Sequence, residues 1–224
     1  MPTITTLSRA DLDDAVDALA DAFAGGPLMA YVFGPATAPP PRAGVEAIMR
    51  FGCLVRLELG WPLLGARAGD RPARLAGVVG VTLPGEAAWP AALEEAHRAL
   101  AAAIGPAAAE RLARFSVVAE AHRPREAHHH VGLIGVRPGL RGRGVGTALL
   151  AAVHDLAGDD PNSEGVSANV EDPLLAAWYE RRGYDVWAWD DTLGIEVWTL
   201  FRARGGPAGD EDGAEEDGAD EDVD

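Results

Sequence analysis

The most informative part of the sequence is residues 136–147, which read Val-Arg-Pro-Gly-Leu-Arg-Gly-Arg-Gly-Val-Gly-Thr. The run before it, 131–136, is continuously apolar, as is typical of a central buried strand. After it, apolar residues recur every three or four positions as far as Leu156, which predicts a helix near 144–157. The glycines lie just before and within the first turn of that helix, where free N–H groups point outward. The stretch therefore predicts a strand–loop–helix unit with a candidate phosphate site.

The spacing of the glycines distinguishes this loop from the common nucleotide motifs. A Walker loop ends in Gly-Lys-Ser/Thr, and the dinucleotide fingerprint is G-x-G-x-x-G, whereas Gly142, Gly144 and Gly146 alternate. Arg141 and Arg143 add positive charge at the same place. From the residues alone, two interpretations remain open: a site for a phosphate-bearing ligand, or a tight turn with solvated arginines.

The flanking sequence predicts helices and strands in an irregular order. Ser8, with Asp11 three residues later, is typical of a helix start. Helices are predicted over 9–24, just after Pro27, over 43–59, over 144–157 and over 173–182, with two more in the Ala-rich segment 88–114 lying over one face of the sheet. Strands are predicted over 61–66, 75–83, 131–136, 165–170, 183–189 and 194–202, and the first two form a hairpin across Gly69-Asp70-Arg71-Pro72. This mixture predicts an α+β fold, a mixed α/β sandwich.

Composition indicates one domain followed by an acidic tail. The chain has 224 residues, 48% of them hydrophobic, and a net charge of −16. Residues 205–224 hold ten Asp and Glu and no Arg, which leaves 25 acids against 19 arginines, or −6, for the rest. We therefore predict one domain over 1–203 and a disordered acidic tail over 204–224.

The same composition argues against several classes of protein. An acidic body does not favour nucleic-acid or anionic-membrane binding. The sequence contains neither an apolar run of about 18 residues nor the layout of a signal peptide, so a cytoplasmic protein is expected. The single cysteine, Cys53, lies in an apolar stretch and is predicted to be a buried structural thiol.

Two segments resemble the GCN5-related N-acetyltransferase (GNAT) family. Val136-x-Pro138 followed by Arg141-x-x-Gly144-x-Gly146 is similar to the family pattern V-x-P…[Q/R]-x-x-G-x-[G/A]. Downstream, residues 179–184 read Tyr-Glu-Arg-Arg-Gly-Tyr, similar to Y-E-[K/R]-x-G-[F/Y]. The resemblance covers 3–203 in outline and is strong over 131–189. It implies the acyl-CoA N-acyltransferase fold, with a central mixed, mostly antiparallel sheet flanked by helices.

The resemblance also implies roles for particular residues. Acetyl-CoA would be the co-substrate, lying across a splayed pair of strands that end near 136 and 170. Tyr179 would protonate the leaving thiolate; on the residues alone, it could equally pack its helix against the sheet. The residues implied in cofactor binding are Ile134, Gly135, Val136, Arg141, Gly142, Arg143, Gly144, Val145, Gly146, Thr147 and Asp172, the last standing where many relatives carry Asn.

A run of three histidines, 128–130, begins the central strand. In an extended chain His128 and His130 share one face and His129 points the other way. Gly132 stands where some relatives carry a Glu near the substrate amine, so His130 is a candidate to accept the ammonium proton. Histidines without a chemical role are the alternative. A zinc site lacks a clear set of further ligands, and no metal is predicted.

The function implied is an N-acetyltransferase that moves an acetyl group from acetyl-CoA to a primary amine by direct attack in a ternary complex. The acidic body favours a small, cationic acceptor, and a homodimer is left open. Two rivals remain: a transferase that uses another phosphate-bearing ligand, and a non-catalytic CoA-binding sensor or interaction module on the same fold.

Overall fold

A computed structural model describes residues 2–68 and 74–206. Within them, the strands are Thr3–Thr6 (β1), Leu63–Arg67 (β2), Leu75–Thr82 (β3), His129–Val136 (β4), Gly165–Val170 (β5), Asp185–Asp190 (β6) and Val197–Ala203 (β7). The helices are Leu12–Phe23 (α1), Pro27–Phe33 (α2), Arg42–Leu59 (α3), Ala91–Ile104 (α4), Pro106–Ala121 (α5), Val145–Asp159 (α6) and Pro173–Glu180 (α7). The predicted hairpin turn at 69–72 and nearly all of the predicted acidic tail lie outside the described residues.

The strands form one sheet in the order β1-β2-β3-β4-β5-β7-β6. β4 and β5 are parallel, and the other neighbouring strands are antiparallel. The predicted mixed, mostly antiparallel sheet is therefore confirmed, with the run 131–136 in its central strand. β1 was not predicted; it pairs with β2 from Thr3 opposite Arg67 to Thr6 opposite Leu64.

Helices cover both faces of the sheet. On one face α1 and α3 pack on β3, and α1 also packs on β4, around buried residues such as Leu19, Met29 and Leu133. On the other face α6 packs on β2 to β5 through Leu149 and Val153. Each helix thus buries the apolar face that its three-and-four spacing predicted.

The sequence-based placement of the Ala-rich helices was wrong. α4 packs on α3 and α5, and α5 packs on α2 and α4, so both helices lie on other helices rather than over the sheet. Leu93 and Leu100 are the buried side chains of α4, and Ala108 is that of α5. The apolar face of α5 is weakly defined, so its sequence does not specify which surface it packs against. The apolar face of α4 is clear, but such a face can pack on a helix as well as on a sheet.

Local signals set the helix ends near the site. The predicted capping box is present: the Ser8 side chain accepts from the Ala10 N–H at 3.3 Å, and Asp11 accepts from the Ser8 N–H at 3.0 Å.

No single helix of the described part of the chain is long and apolar enough to span a membrane. The segments Arg9–Phe23 and Pro27–Phe33 pass that test only as a pair bent by 93°.

Candidate active site

The cleft begins where β4 and β5 separate. Their parallel pairing covers residues 129–131 of β4 and 166–168 of β5. Beyond this point both strands line a cleft of about 1200 Å³, β4 with Gly132 to Val136 and β5 with Asn169 and Val170. Binding sites for one drug-sized ligand measure roughly 300–1,000 Å³, so this cleft has room for a cofactor arm and a second small molecule.

A β-bulge at Gly132 marks the apex of this fork. On the β3 side, Gly80 lies opposite Leu133 but Val81 lies opposite Val131, so Gly132 is the extra residue of β4. A bulge shifts the alternation of side chains along a strand. Leu133 accordingly belongs to the core under α1 and α3, whereas Val131 belongs to the core under α6.

The loop after β4 leads into the positive end of α6. Gly142 and Gly144 have φ of 71° and 73°, in the left-handed region that favours glycine. Gly144 is the N-cap of α6 and provides no side-chain cap, so the first-turn N–H groups of Val145, Gly146 and Thr147 have no intrahelical acceptor. A Cβ atom at position 142 or 144 would meet no atom within 4 Å. Open space in front of free N–H groups fits a pyrophosphate.

Arg141 and Arg143 differ in their relation to this site. The Arg141 N–H donates to the Pro138 carbonyl at 3.3 Å, and its guanidinium donates to the Ala22 carbonyl at 3.0 Å. The N–H groups free to face an anion therefore begin at Gly142 rather than at Arg141. Arg143 is exposed beside the loop and does not line the cleft, unlike the other predicted cofactor-binding residues.

Ion pairs fix the start of this loop to α1. The nearly buried Arg137 donates to Asp14 at 3.3 Å, to Asp17 at 2.8 Å and to Asp21. These three aspartates lie on one face of α1, and the Arg137 Nε also donates to the Leu75 carbonyl at 2.8 Å. Such charge-assisted bonds hold the loop in place before any ligand binds.

Arg182 is a cation of the site to which the sequence assigned no role. Its guanidinium lies 3.8 Å from the centroid of the Trp178 ring and donates to Thr147 Oγ1 at 3.1 Å. It therefore places positive charge beside the first turn of α6, where a phosphate would bind. The block Tyr-Glu-Arg-Arg-Gly-Tyr contained this residue and both of its arginines line the cleft, but only the fold shows that Arg182 is the one that contacts Thr147.

Tyr179 lies on the wall of the cleft with its hydroxyl unpaired. The residue is 2% exposed, and its ring contacts Trp178 and Tyr184 edge-on, with centroids 5.0 and 4.9 Å away. No hydrogen-bond partner of its Oη is found among the described residues. Burial, and then the nearby Glu171 carboxyl, raise the pKa of the Tyr179 phenol above its ordinary value. The side chain is thus a protonated donor that lacks an acceptor.

Glu171 is a second site residue that sequence reasoning missed. It directly follows β5, lines the cleft and acts electrostatically on Tyr179. Burial raises the pKa of its carboxyl to about 8. The neighbouring Asp172 also lines the cleft, but its Oδ1 caps α7 by accepting from the Leu174 N–H at 2.8 Å. In the sequence, Glu171 directly precedes this cap residue and belongs to no motif, so nothing indicated a role for it.

The three histidines divide between the two faces, as predicted. The His130 Nδ1 lies 2.8 Å from Ser167 Oγ and the residue lines the cleft, while His128 packs edge-on against Phe201 of the same face. His129 instead contacts Ser163 on the other face. Burial first, and then the charges of nearby cations, hold the pKa of His130 well below its usual range. His130 is therefore neutral at pH 7.

Two further observations concern metal ligands and the cysteine. The described residues contain no group of three His, Cys, Asp or Glu side chains placed to hold a metal ion. Cys53 is buried, and burial raises the pKa of its thiol to about 12, so it is not a nucleophile.

Comparison with protein families identifies the domain. Residues 102–186 match the model of the acetyltransferase (GNAT) domain. This segment, 85 of the 224 residues, is similar to a GNAT acetyltransferase domain. The matched segment runs from α4 into β6 and contains the fork, the glycine-rich loop and Tyr179. The match confirms the GNAT resemblance and the enzyme class that it implied, an acyltransferase.

Solved structures show the same fold over nearly the whole chain. An acetyltransferase from Corynebacterium glutamicum, described as histone acetyltransferase HPA2 and related acetyltransferase, is 21% identical, with a TM-score of 0.66, covering 92% of this chain and 98% of that one. Arylalkylamine N-acetyltransferase 2 from Aedes aegypti is 14% identical, with a TM-score of 0.66 and coverage of 90% and 98%. The polyamine N-acetyltransferase of Drosophila melanogaster is 20% identical, with a TM-score of 0.62 and coverage of 91% and 100%. Among curated proteins, none matches the chain in sequence.

Proposed function

We propose that this chain transfers an acetyl group from acetyl-CoA to the primary amino group of a small acceptor, by direct attack in a ternary complex. The observation that carries the proposal is the layout of the cleft. It leads from the free N–H groups of α6, along the unpaired edge of β4, to the unpartnered hydroxyl of Tyr179.

The described residues fit the cofactor at both ends of this path. The N–H groups from Gly142 to Thr147 would hold the pyrophosphate, with Arg182 beside them. The backbone of Ile134 to Val136, which β5 leaves unpaired, would bond the pantetheine arm as a neighbouring strand would. When bound, the cofactor supplies an activated acetyl group on sulfur.

The chemistry then requires two proton movements. The acceptor nitrogen attacks the acetyl carbonyl carbon, a C–N bond forms, the C–S bond breaks and the thiolate takes the proton of Tyr179 Oη. The acceptor ammonium must first lose a proton. We propose Glu171 as that base, with His130 as the alternative, because a carboxylate with a raised pKa is a stronger base than an imidazole with a lowered one.

The proposed acceptor is a small primary amine, cationic at its amino group. Four polar residues line the cleft where β4 and β5 are still paired and just beyond: His130, Ser167, Asn169 and Thr199. Solved structures of the same fold include proteins named as agmatine and polyamine N-acetyltransferases, which supports a small amine. The acidic body of the chain also favours a cation.

The test is a calorimetric titration of acetyl-CoA into the wild type and two matched variants. Gly146 lies in the first turn of α6, where an added Cβ would make only ordinary contacts of 3.7 and 3.8 Å. Gly146→Glu therefore adds a carboxylate at the proposed phosphate site without backbone strain. Gly158→Glu makes the same change at the far end of α6, where a Cβ would meet nothing within 4 Å.

We expect the wild type and Gly158→Glu to bind acetyl-CoA alike, and Gly146→Glu to bind at least about tenfold more weakly, the equivalent of 1.4 kcal/mol. Equal binding by all three proteins would show that the loop is not the phosphate site. Binding without acetyl transfer to any amine in a panel would favour the non-catalytic CoA-binding sensor over the transferase.

A further inference from the structure

Arg56 is a buried cation without a counter-ion. Its side chain extends from α3 and is 8% exposed. The Nη1 atom donates to the Gly52 carbonyl at 3.2 Å and the Nη2 atom donates to Thr82 Oγ1 at 3.0 Å, but Nε has no partner and the described part of the chain offers it no carboxylate. Burying an unpaired charge is costly, so such a group needs a functional or structural reason.

The guanidinium lies at the apex of the fork. A Cβ atom added at Gly132 would overlap Arg56 Nη2, so the guanidinium fills the space where a side chain at position 132 would begin. Gly132 is itself exposed and lines the cleft. Only a glycine therefore separates this charge from the cleft at the apex of the fork.

A second arginine lies at this end of the cleft. Arg123 lines the cleft and pairs at 3.1 Å with Glu120, which also lines it and has a side chain that is 69% exposed, so solvent screens this surface pair. After burial, Arg123 and then Arg56 lower the pKa of His130, so both guanidinium groups act on this side chain.

We propose that the acceptor carries a carboxylate in addition to its amino group, and that Arg56, together with Arg123, binds this carboxylate at the Gly132 end of the cleft. The inference rests on the proposed function, since it names the class of acceptor for the same site. The substrate class is thus a small amino acid rather than a diamine.

The physical reason is charge complementarity. A ligand carboxylate would supply the counter-ion that Arg56 lacks in the described structure. Hydrogen bonds between a guanidinium and a carboxylate are strong because both partners are charged. The far end of a diamine would bring a second cation toward Arg56 and Arg123. The overall acidity of the chain acts at longer range and is screened by salt, so local charges decide which acceptor binds.

The test uses straight-chain amino acids from glycine to 6-aminohexanoate, each compared with its own carboxamide, and 1,4-diaminobutane as the diamine. The carboxamide keeps the amine and the shape but removes the negative charge. We expect the best amino acid to exceed its carboxamide by roughly 10- to 100-fold in kcat/KM, the range for hydrogen bonds to charged groups. Higher kcat/KM for the carboxamides or the diamine would overturn the inference and leave the transferase intact.

The variants assign the preference to Arg56. Arg56→Met should abolish the preference for the amino acid by lowering its kcat/KM toward that of the carboxamide. It should also fold, because it removes an unpaired buried charge. Gly132→Ala, which displaces the guanidinium without removing it, should act in the same direction. Arg98→Met, at an exposed position of α4, is the matched control and should change neither rate. Equal loss of both rates in Arg56→Met would refute the assignment.

A binding measurement separates this inference from the proposed transfer reaction. The same ligands are titrated by calorimetry into the complex with CoA, where no acetyl group is available. Arg56-dependent binding of an amino acid without turnover from acetyl-CoA would refute the transferase and support the carboxylate site. Turnover of acetyl-CoA with no selective binding of the amino acid would support the transferase and refute the carboxylate site.

Discussion

Replacing Tyr179 by phenylalanine should make the protein more stable and less active. The substitution removes one oxygen atom from a ring that is 2% exposed and held edge-on between Trp178 and Tyr184. That oxygen has no hydrogen-bond partner in the described structure, so the folded chain buries a polar group without compensation. A tyrosine that served packing alone would gain nothing from such a hydroxyl.

The magnitudes follow from the two roles of the hydroxyl. A buried, unsatisfied polar group costs about 1–3 kcal/mol, so its removal should stabilise the ligand-free protein by about 1 kcal/mol and raise Tm by roughly 2–4 °C for a chain of this size. Loss of a general acid should lower kcat by about 10²- to 10⁴-fold. Acetyl-CoA affinity should change much less, because the hydroxyl acts mainly on the leaving thiolate.

Tyr184→Phe is the matched control, since it removes the same atom from the neighbouring ring. The Tyr184 hydroxyl lies 2.9 Å from His154 Nε2, and its loss should lower stability by about 1 kcal/mol with little effect on kcat. Thermal unfolding without ligand and steady-state rates on one acceptor measure both quantities. The general-acid assignment is refuted if Tyr179→Phe retains the wild-type kcat within a few-fold.

Two further predictions concern other ionisable groups. The pKa of Glu171, about 8 in the folded chain against an ordinary value of 4.5, means that the stability it contributes at low pH is lost as the pH rises through 8. Between pH 5 and 9, the Tm of Glu171→Gln should therefore rise by a few degrees relative to that of the wild type. The variant should also lose the rise in kcat/KM near pH 8. If Tm and kcat/KM of the two proteins changed with pH in parallel, both predictions would be wrong. Cys53, whose pKa is about 12, should resist a thiol reagent at pH 8 until the protein is unfolded, as mass spectrometry of the labelled chain would show.

The sequence was most informative where local chemistry and tertiary structure agree. The loop at 137–144 must contain glycines with positive φ and must precede an apolar helix, so its motif and the surrounding periodicity carry the same information. The run 131–136 has buried residues on both faces of the sheet, Leu133 on one and Val131 on the other, and its continuous apolarity placed it at the centre of the sheet. These features locate the cofactor side of the cleft from the sequence alone.

The missed features depend on contacts between distant parts of the chain. β1 has four residues at the edge of the sheet, and one short edge strand resembles any polar segment. Arg56 lies on a helix with the spacing of an ordinary solvated arginine, and only the packing of α3 on β3 brings it under Gly132. A glycine inside an apolar strand does indicate a bulge, so one signal for the apex of the fork was present in the sequence.

The bulge at Gly132 connects the cofactor and acceptor sides of the site. Pairing with β5 ends at Val131, which opens the fork, and the extra residue brings His130 onto the face that carries Arg56. The missing side chain then leaves room for the guanidinium. A side chain at position 132 would both displace the Arg56 guanidinium and fill the apex of the fork. Glycine at this position therefore leaves room for a cation where some relatives carry a Glu. For this reason the acceptor preference, rather than cofactor binding, is expected to distinguish this chain from those relatives.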